Sequence, residues 1–244
     1  MTYKEVKPYF ALEPYIHSYW ELKGDNSDRQ WERIFPDGCA GLVFNAGDSC
    51  LTDNGTTVMD YGKTYVVGAM SSYKDNFIEG HTHLFGVCLK PGAFSNFYSY
   101  APQHELTNKT IQLEKAHSFD IDKFNNNPVQ YLNTFFTRRF QNKIGPLQAV
   151  LDDIHQSKGQ LSVTEIAKRN SISIRQVERT FKTHIGLTLK EYANIVRFQH
   201  ALSLIKSSGS KRSLLDIALE CGFYDHSHLT NEIRRNTGRV PSQF

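Results

Sequence analysis

The chain has 244 residues, 39% hydrophobic and 22% charged, with a formal net charge of +3, enough for one large or two ordinary cores. Its four cysteines, Cys39, Cys50, Cys88 and Cys221, make no CxxC pair and no metal spacing, so they read as reduced thiols of a cytoplasmic protein and exclude a disulfide scaffold. The opening Met1-Thr2-Tyr3-Lys4-Glu5-Val6-Lys7 has no apolar signal core, and no run approaches the ~18 apolar residues of a membrane span, so a soluble, unexported protein is expected.

Taken in chain order, residues 15–22, 30–35, 41–45, 64–68 and 81–90 are short β-prone runs. Turn chemistry separates them at Lys23-Gly24-Asp25-Asn26, Pro36-Asp37-Gly38, Gly47-Asp48 and Asp53-Asn54-Gly55, which predicts a small β-barrel or sandwich. After Pro91-Gly92 the periodicity turns helical. It predicts a short helix over 93–100 and a second over 129–140, where Leu132, Phe135, Phe136 and Phe140 share a face, with a polar break at Asn125-Asn126-Asn127-Pro128 between them. Gly145-Pro146 opens a further helix carrying Leu147, Val150, Leu151 and Ile154, closed by Gly159.

The two halves differ in chemistry. Residues 146–244 hold 14 Lys and Arg against 9 Asp and Glu, whereas residues 1–145 are net −2 and contain 24 of the 30 aromatic side chains. Two domains are expected, 1–145 and 146–244, with the boundary near Ile144. The first has an aromatic core or pocket; the second has the positive charge that favours phosphate contact.

The second half is also repeated. Ile166-Ala167, Val177, Phe181, Gly186 and Tyr192 recur as Ile217-Ala218, Leu229, Ile233, Gly238 and Phe244, at a constant offset of 52 from Val177 onward. Each copy reads as a short helix, a tight turn and a second helix with apolar anchors four apart, the helix-turn-helix pattern of DNA readers. In the first copy residues 163–169 support and Ser173 caps a recognition helix over 173–183. Burial of Val177 and Phe181 then leaves Arg175, Glu178, Arg179 and Lys182 outward. Thr188-Leu189-Lys190-Glu191 caps a connector of 18 residues ending at Ile205, about 27 Å long and comparable with the roughly 34 Å between successive major grooves. Ser207-Ser208-Gly209-Ser210 ends it. In the second copy residues 214–221 support and Asp225 caps a helix to about Asn236, offering His226, Ser227, Thr230, Asn231, Arg234 and Arg235.

Ile166-Ala167, Ser173, Val177, Arg179, Phe181-Lys182, Gly186, Arg197, the run Ile217-Ala218-Leu219-Glu220-Cys221-Gly222-Phe223, Ser227 and the terminal Gly238-Arg239-Val240-Pro241-Ser242-Gln243-Phe244 together resemble the AraC/XylS family of bacterial transcription regulators. The resemblance implies that one monomer reads two adjacent major grooves of double-stranded DNA, with contacts from Arg175, Glu178, Arg179, His226, Ser227, Thr230 and Asn231. Asn231 stands where that family usually has Arg, Ile233 where it usually has Phe, and Leu189 where Pro is common. Through Tyr19-Trp20, Phe35-Pro36-Asp37-Gly38, Leu42-Val43-Phe44-Asn45 and Val87-Cys88-Leu89-Lys90-Pro91-Gly92-Ala93 the first half resembles cupin-like sensor domains, which implies effector binding or dimerisation.

The expected architecture is thus α+β: a small cupin-like β-barrel with short helices, then an all-α tandem helix-turn-helix domain. Trp20, Trp31, Tyr65 and His83 are the expected effector-pocket residues, with core or interface packing as the alternative for both tryptophans. His81-Thr82-His83 has the H-x-H pattern of a strand metal site, but the downstream glutamate of such sites is missing, and neither a metal nor another cofactor is expected. Phe135, Phe136 and Phe140 fit a dimer seam or packing against the barrel. No nucleophile elbow, P-loop or dinucleotide fingerprint is present, so an enzyme is not expected. The alternative is a cupin-type metalloenzyme with an accessory DNA-binding tail. Beyond DNA, the candidate partners are a small effector, RNA polymerase and a second copy of the chain.

Overall fold

The computed structural model describes every residue except 26–28, 100, 125–126, 143–146 and 209–211. The expectations for Asn26, Tyr100, Asn125-Asn126, the Ile144 boundary, the Gly145-Pro146 helix start and Gly209-Ser210 lie outside the described residues.

The N-terminal half is built on one antiparallel sheet of six strands. They are β1 (Thr2–Val6), β2 (Ile16–Lys23), β4 (Gly41–Asn45), β7 (Thr64–Val67), β9 (His83–Leu89) and β10 (Thr110–Gln112), in the spatial order β1-β2-β9-β4-β7-β10. Two ribbons complete the β structure: β3 (Arg29–Ile34) with β8 (Lys74–Glu79), and β5 (Cys50–Thr52) with β6 (Thr57–Met59). The sheet is open, with β1 and β10 as its edges, so the expected closed barrel is corrected. The residues that would have to close it pair with each other in the two ribbons instead.

Strand alternation gives the sheet two different faces. Tyr19, Leu42, Phe44, Val66, Val87 and Leu89 point to a buried aromatic layer containing Phe94, Phe97, Phe119, Phe124, Leu132 and Phe136. Helices α1 (Ile121–Phe124) and α2 (Pro128–Arg139) supply three of those partners, Phe124, Leu132 and Phe136; Asn127 caps α2 by accepting from the Gln130 N–H, and Pro128 occupies its first turn. The expected phenylalanine seam is largely internal: Phe136 is fully buried, Phe135 packs on Phe119 at 5.0 Å, and Phe140 lies 4.6 Å from Tyr15. The helix expected over 93–100 is a short 3-10 turn, Ala93–Asn96.

The opposite face carries Trp20, Val43, Tyr65 and Leu84, which meet Cys50 and Met59 from the β5–β6 ribbon. The β3–β8 ribbon covers the remainder and leaves a cavity.

The C-terminal half is helical: α3 (Leu147–Gln156), α4 (Val163–Arg169), α5 (Ile174–His184), α6 (Leu189–Ser208), α7 (Leu214–Glu220) and α8 (His226–Thr237). The α6 helix belongs to both repeats. Its first half, with Tyr192, Ala193 and Ile195, packs among α3 to α5, and its second half, with Phe198, Ala201, Leu202 and Ile205, packs against α7 and α8. With 20 residues it spans about 30 Å. Because each end is sealed into a separate core, α6 acts as a rigid spacer.

Candidate DNA interface and effector cavity

Both recognition helices are made the same way. Ser162 and Ser213 close capping boxes with Glu165 and Asp216 at the starts of the supporting helices α4 and α7. Ser173 accepts from the Gln176 N–H to start α5, and Asp225 accepts from the His228 N–H at 2.7 Å to start α8. In α5, Val177 and Phe181 are buried; in α8, Leu229 and Ile233 are buried. That anchoring leaves Arg175, Arg179 and Lys182 exposed on α5, and His226, Ser227, Asn231 and Arg234 exposed on α8. Two of the expected contacts are half-buried and already engaged. Glu178 Oε2 accepts from the Leu189 N–H at 3.4 Å, and Thr230 Oγ1 donates to the His226 carbonyl at 2.8 Å. Tyr224, 87% exposed beside the cap of α8, was not among the expected contacts. Its repeat equivalent, Ile172, is half-buried.

Arg197 joins the units. Its guanidinium lies 4.7 Å from the Phe223 ring centroid, and Nη2 donates to Asn194 Oδ1 at 3.1 Å, holding the turn of the second unit against α6.

The cavity between the sheet and the β3–β8 ribbon has a volume of about 430 Å3. Trp20 forms part of its floor. A Cβ on Gly86 would fall inside the Trp20 indole, so the bare glycine lets that ring lie flat on β9, and Tyr3 stacks with it at 6.2 Å between centroids. Leu22, Val43, Met59, Ile78 and Leu84 form apolar walls, while Glu32, Asp37, Lys74 and Asn76 bring polar groups. Asp37 is exposed in area and lines the cavity. Its carboxyl is densely surrounded, and burial pushes it above the ordinary carboxylate range against the hydrogen bond from the Cys39 N–H. The Cys88 thiol in the same wall is pushed up to about 12, first by burial and then by Asp37.

Of the four expected pocket residues only Trp20 lines this cavity. Trp31 is on the outer side of its ribbon, 49% exposed and 5.0 Å from Phe77, because its neighbours Glu32 and Ile34 take the inner positions. Tyr65 shares the cavity face of the sheet but is buried under β5 and β6, where its hydroxyl accepts from the Asp60 N–H at 2.8 Å. His83 is on the opposite face by strand alternation, its Nε2 2.9 Å from Glu21 Oε1 and its ring 4.7 Å from Phe85. The H-x-H pattern does not form a strand pair, since His81 lies in the turn before β9. Among the described residues no three His, Cys, Asp or Glu side chains gather as a metal site.

A family model described as a helix-turn-helix domain matches residues 160–244, and one described as a domain of unknown function (DUF6597) matches residues 4–112. The HTH-type transcriptional activator RhaS of Escherichia fergusonii is 37% identical over 79 residues, 32% of this chain and 28% of that protein. The HTH-type transcriptional activator RhaR of Yersinia pseudotuberculosis is 25% identical over 99 residues, 40% of this chain and 33% of that protein. Residues 160–244 of the C-terminal region are a helix-turn-helix domain. The chain spans a third or less of the length of these curated relatives. Over the whole chain the fold is that of ToxT from Vibrio cholerae. The structure with bound unsaturated fatty acid aligns with a TM-score of 0.53 and 10% identity over 92% of each chain, and the 1.65 Å P21 form with 0.52 and 10% over 100% of this chain and 97% of that one.

The helix-turn-helix domain is docked on the N-terminal half through both of its units. In the first, the Gly186 carbonyl accepts from Thr107 Oγ1 at 2.8 Å, His184 Nδ1 lies 3.1 Å from Ser95 Oγ, and Tyr192 covers Gly38. In the second, the Thr237 carbonyl accepts from Arg33 Nη1, Gly238 sits against Arg33 and Tyr73, and Phe244 lies 5.9 Å from Phe35. Gly186 and Gly238, and likewise Tyr192 and Phe244, are repeat equivalents. The N-terminal half therefore grips the same two points of each unit, at the end of the recognition helix remote from its capped start.

Proposed function

We propose that this protein is a sequence-specific transcription regulator, in which α5 and α8 enter successive major grooves and the N-terminal domain sets their disposition in response to a small effector. The observation that carries the reading is the pair of repeat-related helices, each with a buried apolar stripe and a polar outer face, fixed at opposite ends of α6. Arg175, Glu178, Arg179 and Lys182 are the readers of the first groove; His226, Ser227, Thr230, Asn231 and Arg234 are those of the second. The domains divide at about residue 145. The names of the RhaS and RhaR relatives support transcription activation, and the fatty-acid-bound ToxT supports a small apolar effector in a protein of this fold.

The regulator reading also places the protein in the cytoplasm, with RNA polymerase and a second copy of the chain as further partners, and makes it a binding protein rather than an enzyme. Among the described residues no helix is long and apolar enough to cross a membrane. Genomic mapping of bound sites followed by mobility-shift assays on the recovered duplexes tests the reading. Protection of two half-sites about one helical turn apart supports it; binding with no preference over random DNA overturns it.

A further inference from the structure

We propose that the cavity binds an apolar organic cation, its charged head against Asp37 and its hydrocarbon body over Trp20. This deepens the reading of the N-terminal domain as the effector domain and rests on it.

The charge inventory of the cavity carries the assignment. Its two basic side chains are already committed. Lys74 Nζ lies 2.6 Å from Asp53 Oδ1, and Asp53 also accepts from the N–H and hydroxyl of Thr110 at 3.1 and 2.9 Å. Arg33 is held by Asp75 through two hydrogen bonds, at 2.7 and 2.8 Å, and donates a third to the Thr237 carbonyl. The other charged lining side chains are Glu5, Glu32 and Asp37, all acidic, with His17 placed 4.0 Å from Glu5. Among the described residues no side chain hydrogen-bonds Asp37, whose carboxylate takes the Cys39 N–H at 2.9 Å and its own backbone N–H, with His17 favouring its charged form from a distance.

A carboxylate that opens onto a largely apolar cavity and receives no side-chain hydrogen bond favours a cation beside it. A cationic ligand meets that preference, whereas an anionic one brings like charge to three carboxylates and finds no uncommitted basic side chain. The walls select the rest of the molecule. Trp20 presents an indole face backed by Gly86 and flanked by Tyr3, a surface suited to a cation or an aromatic body. Leu22, Val43, Met59 and Leu84 exclude a strongly polar ligand such as a free sugar. The volume of about 430 Å3 falls within the range of small-molecule sites.

Asp37 also sits at the joint between the domains. The Pro36 carbonyl accepts from Gln199 Nε2 of α6, and Gly38 is packed beneath the Tyr192 ring. A ligand that draws on Asp37 therefore acts on a loop held on both sides by the spacer between the two DNA readers.

The test uses the full chain with Trp31→Phe, so that fluorescence reports Trp20. Three probes of similar shape are titrated: benzyltrimethylammonium, its neutral carbon analogue neopentylbenzene, and the anion 4-phenylbutyrate. Benzyltrimethylammonium is expected to perturb Trp20 with a Kd at least about tenfold below those of the other two. Asp37→Asn keeps the Oδ1 acceptor for Cys39 and should abolish that preference, while the probe series in the Trp31→Phe chain stands without any substitution at Asp37. Equal or tighter binding of the anion, or a cation affinity unchanged in Asp37→Asn, overturns the cation assignment and leaves the cavity an effector site of another class. If no probe alters Trp20 fluorescence or the Tm, the assignment and the effector reading both fall, and the DNA-binding reading is tested separately by the mobility shift.

Discussion

Arg33 ties the floor of the N-terminal ribbon to the end of the second recognition helix: Nη1 donates to the Thr237 carbonyl at 3.1 Å while Nε and Nη2 hold Asp75. The bond to Asp75 is the main reason the guanidinium is stabilised in its charged form, and it holds the Asp75 carboxyl below its ordinary value. One side chain thus lines the cavity, anchors β3 to β8 and docks α8.

Replacing Arg33 by Met should free Asp75 and leave the Thr237 carbonyl without its donor. The loss of charge-assisted hydrogen bonds is expected to cost about 1 to 3 kcal/mol, or several degrees in Tm for a chain of this size. Thermal unfolding monitored by circular dichroism measures it, and limited proteolysis should show faster cleavage between the domains. An unchanged Tm would mean that the contact contributes nothing to docking.

Gly38 is the tightest point of the joint. Its φ is +74°, and a Cβ there would sit 2.5 Å from Cε2 of Tyr192. Gly38→Ala should therefore lose roughly 1 to 2 kcal/mol from the left-handed backbone alone, with the collision added. In a Tyr192→Leu background the collision disappears, so the two substitutions should be less than additive in a double-mutant cycle. Strict additivity would place the whole effect in the backbone.

On the DNA side, Arg179→Ala should leave the Tm within experimental scatter, because the side chain is exposed on α5, and reduce discrimination between specific and random duplexes by about 1 to 3 kcal/mol. Competition mobility shifts read that ratio. A preserved ratio removes Arg179 from the set of base readers.

Asn231→Arg adds a cation at an exposed position of α8. If the new side chain meets a phosphate, the slope of log K against log salt should steepen by about 0.9. An unaltered slope would show that this face of α8 does not approach the backbone.

Acid should weaken the helical half. Burial lowers the pKa of His155, His184 and His200 below the ordinary 6.5. His155 lies 2.9 Å from the Tyr192 hydroxyl and His184 is at the domain interface. Each is harder to protonate in the folded chain than in the unfolded one, so the unfolded state takes up protons first as pH falls below about 6.5. Stability should be flat above about pH 7 and decline below 6.5, until the folded-state values are passed. Urea midpoints at successive pH values measure the decline, and His184→Gln should shallow it; an identical slope in that variant would exclude His184 as a contributor.

The sequence by itself determined the tandem helix-turn-helix organisation. Its signals are local: the caps at Ser173 and Asp225, the four-residue spacing of Val177 with Phe181 and of Leu229 with Ile233, and the repeat offset of 52. The helices consequently lie within three residues of the expected bounds. Such features are legible because a helix satisfies its own backbone within one segment. The sheet half was less legible. Strands of three residues such as β5 and β6, and the edges β1 and β10, acquire their hydrogen bonds only from distant partners, so their residues carry little local pattern. A one-residue change of parity separates Trp20, in the cavity, from an expected lining residue such as His83, on the far face.

Only tertiary structure decided that Lys74 is spent on Asp53, that Asp37 faces the cavity with no side-chain cation, and that Arg33 reaches across 204 positions to Thr237. Whether a charged group is free or neutralised depends on distances that chain separation does not encode. The same holds for the joint: Gly38, Gly186 and Gly238 read in sequence as turns, and only packing shows that each is bare because another domain lies against it.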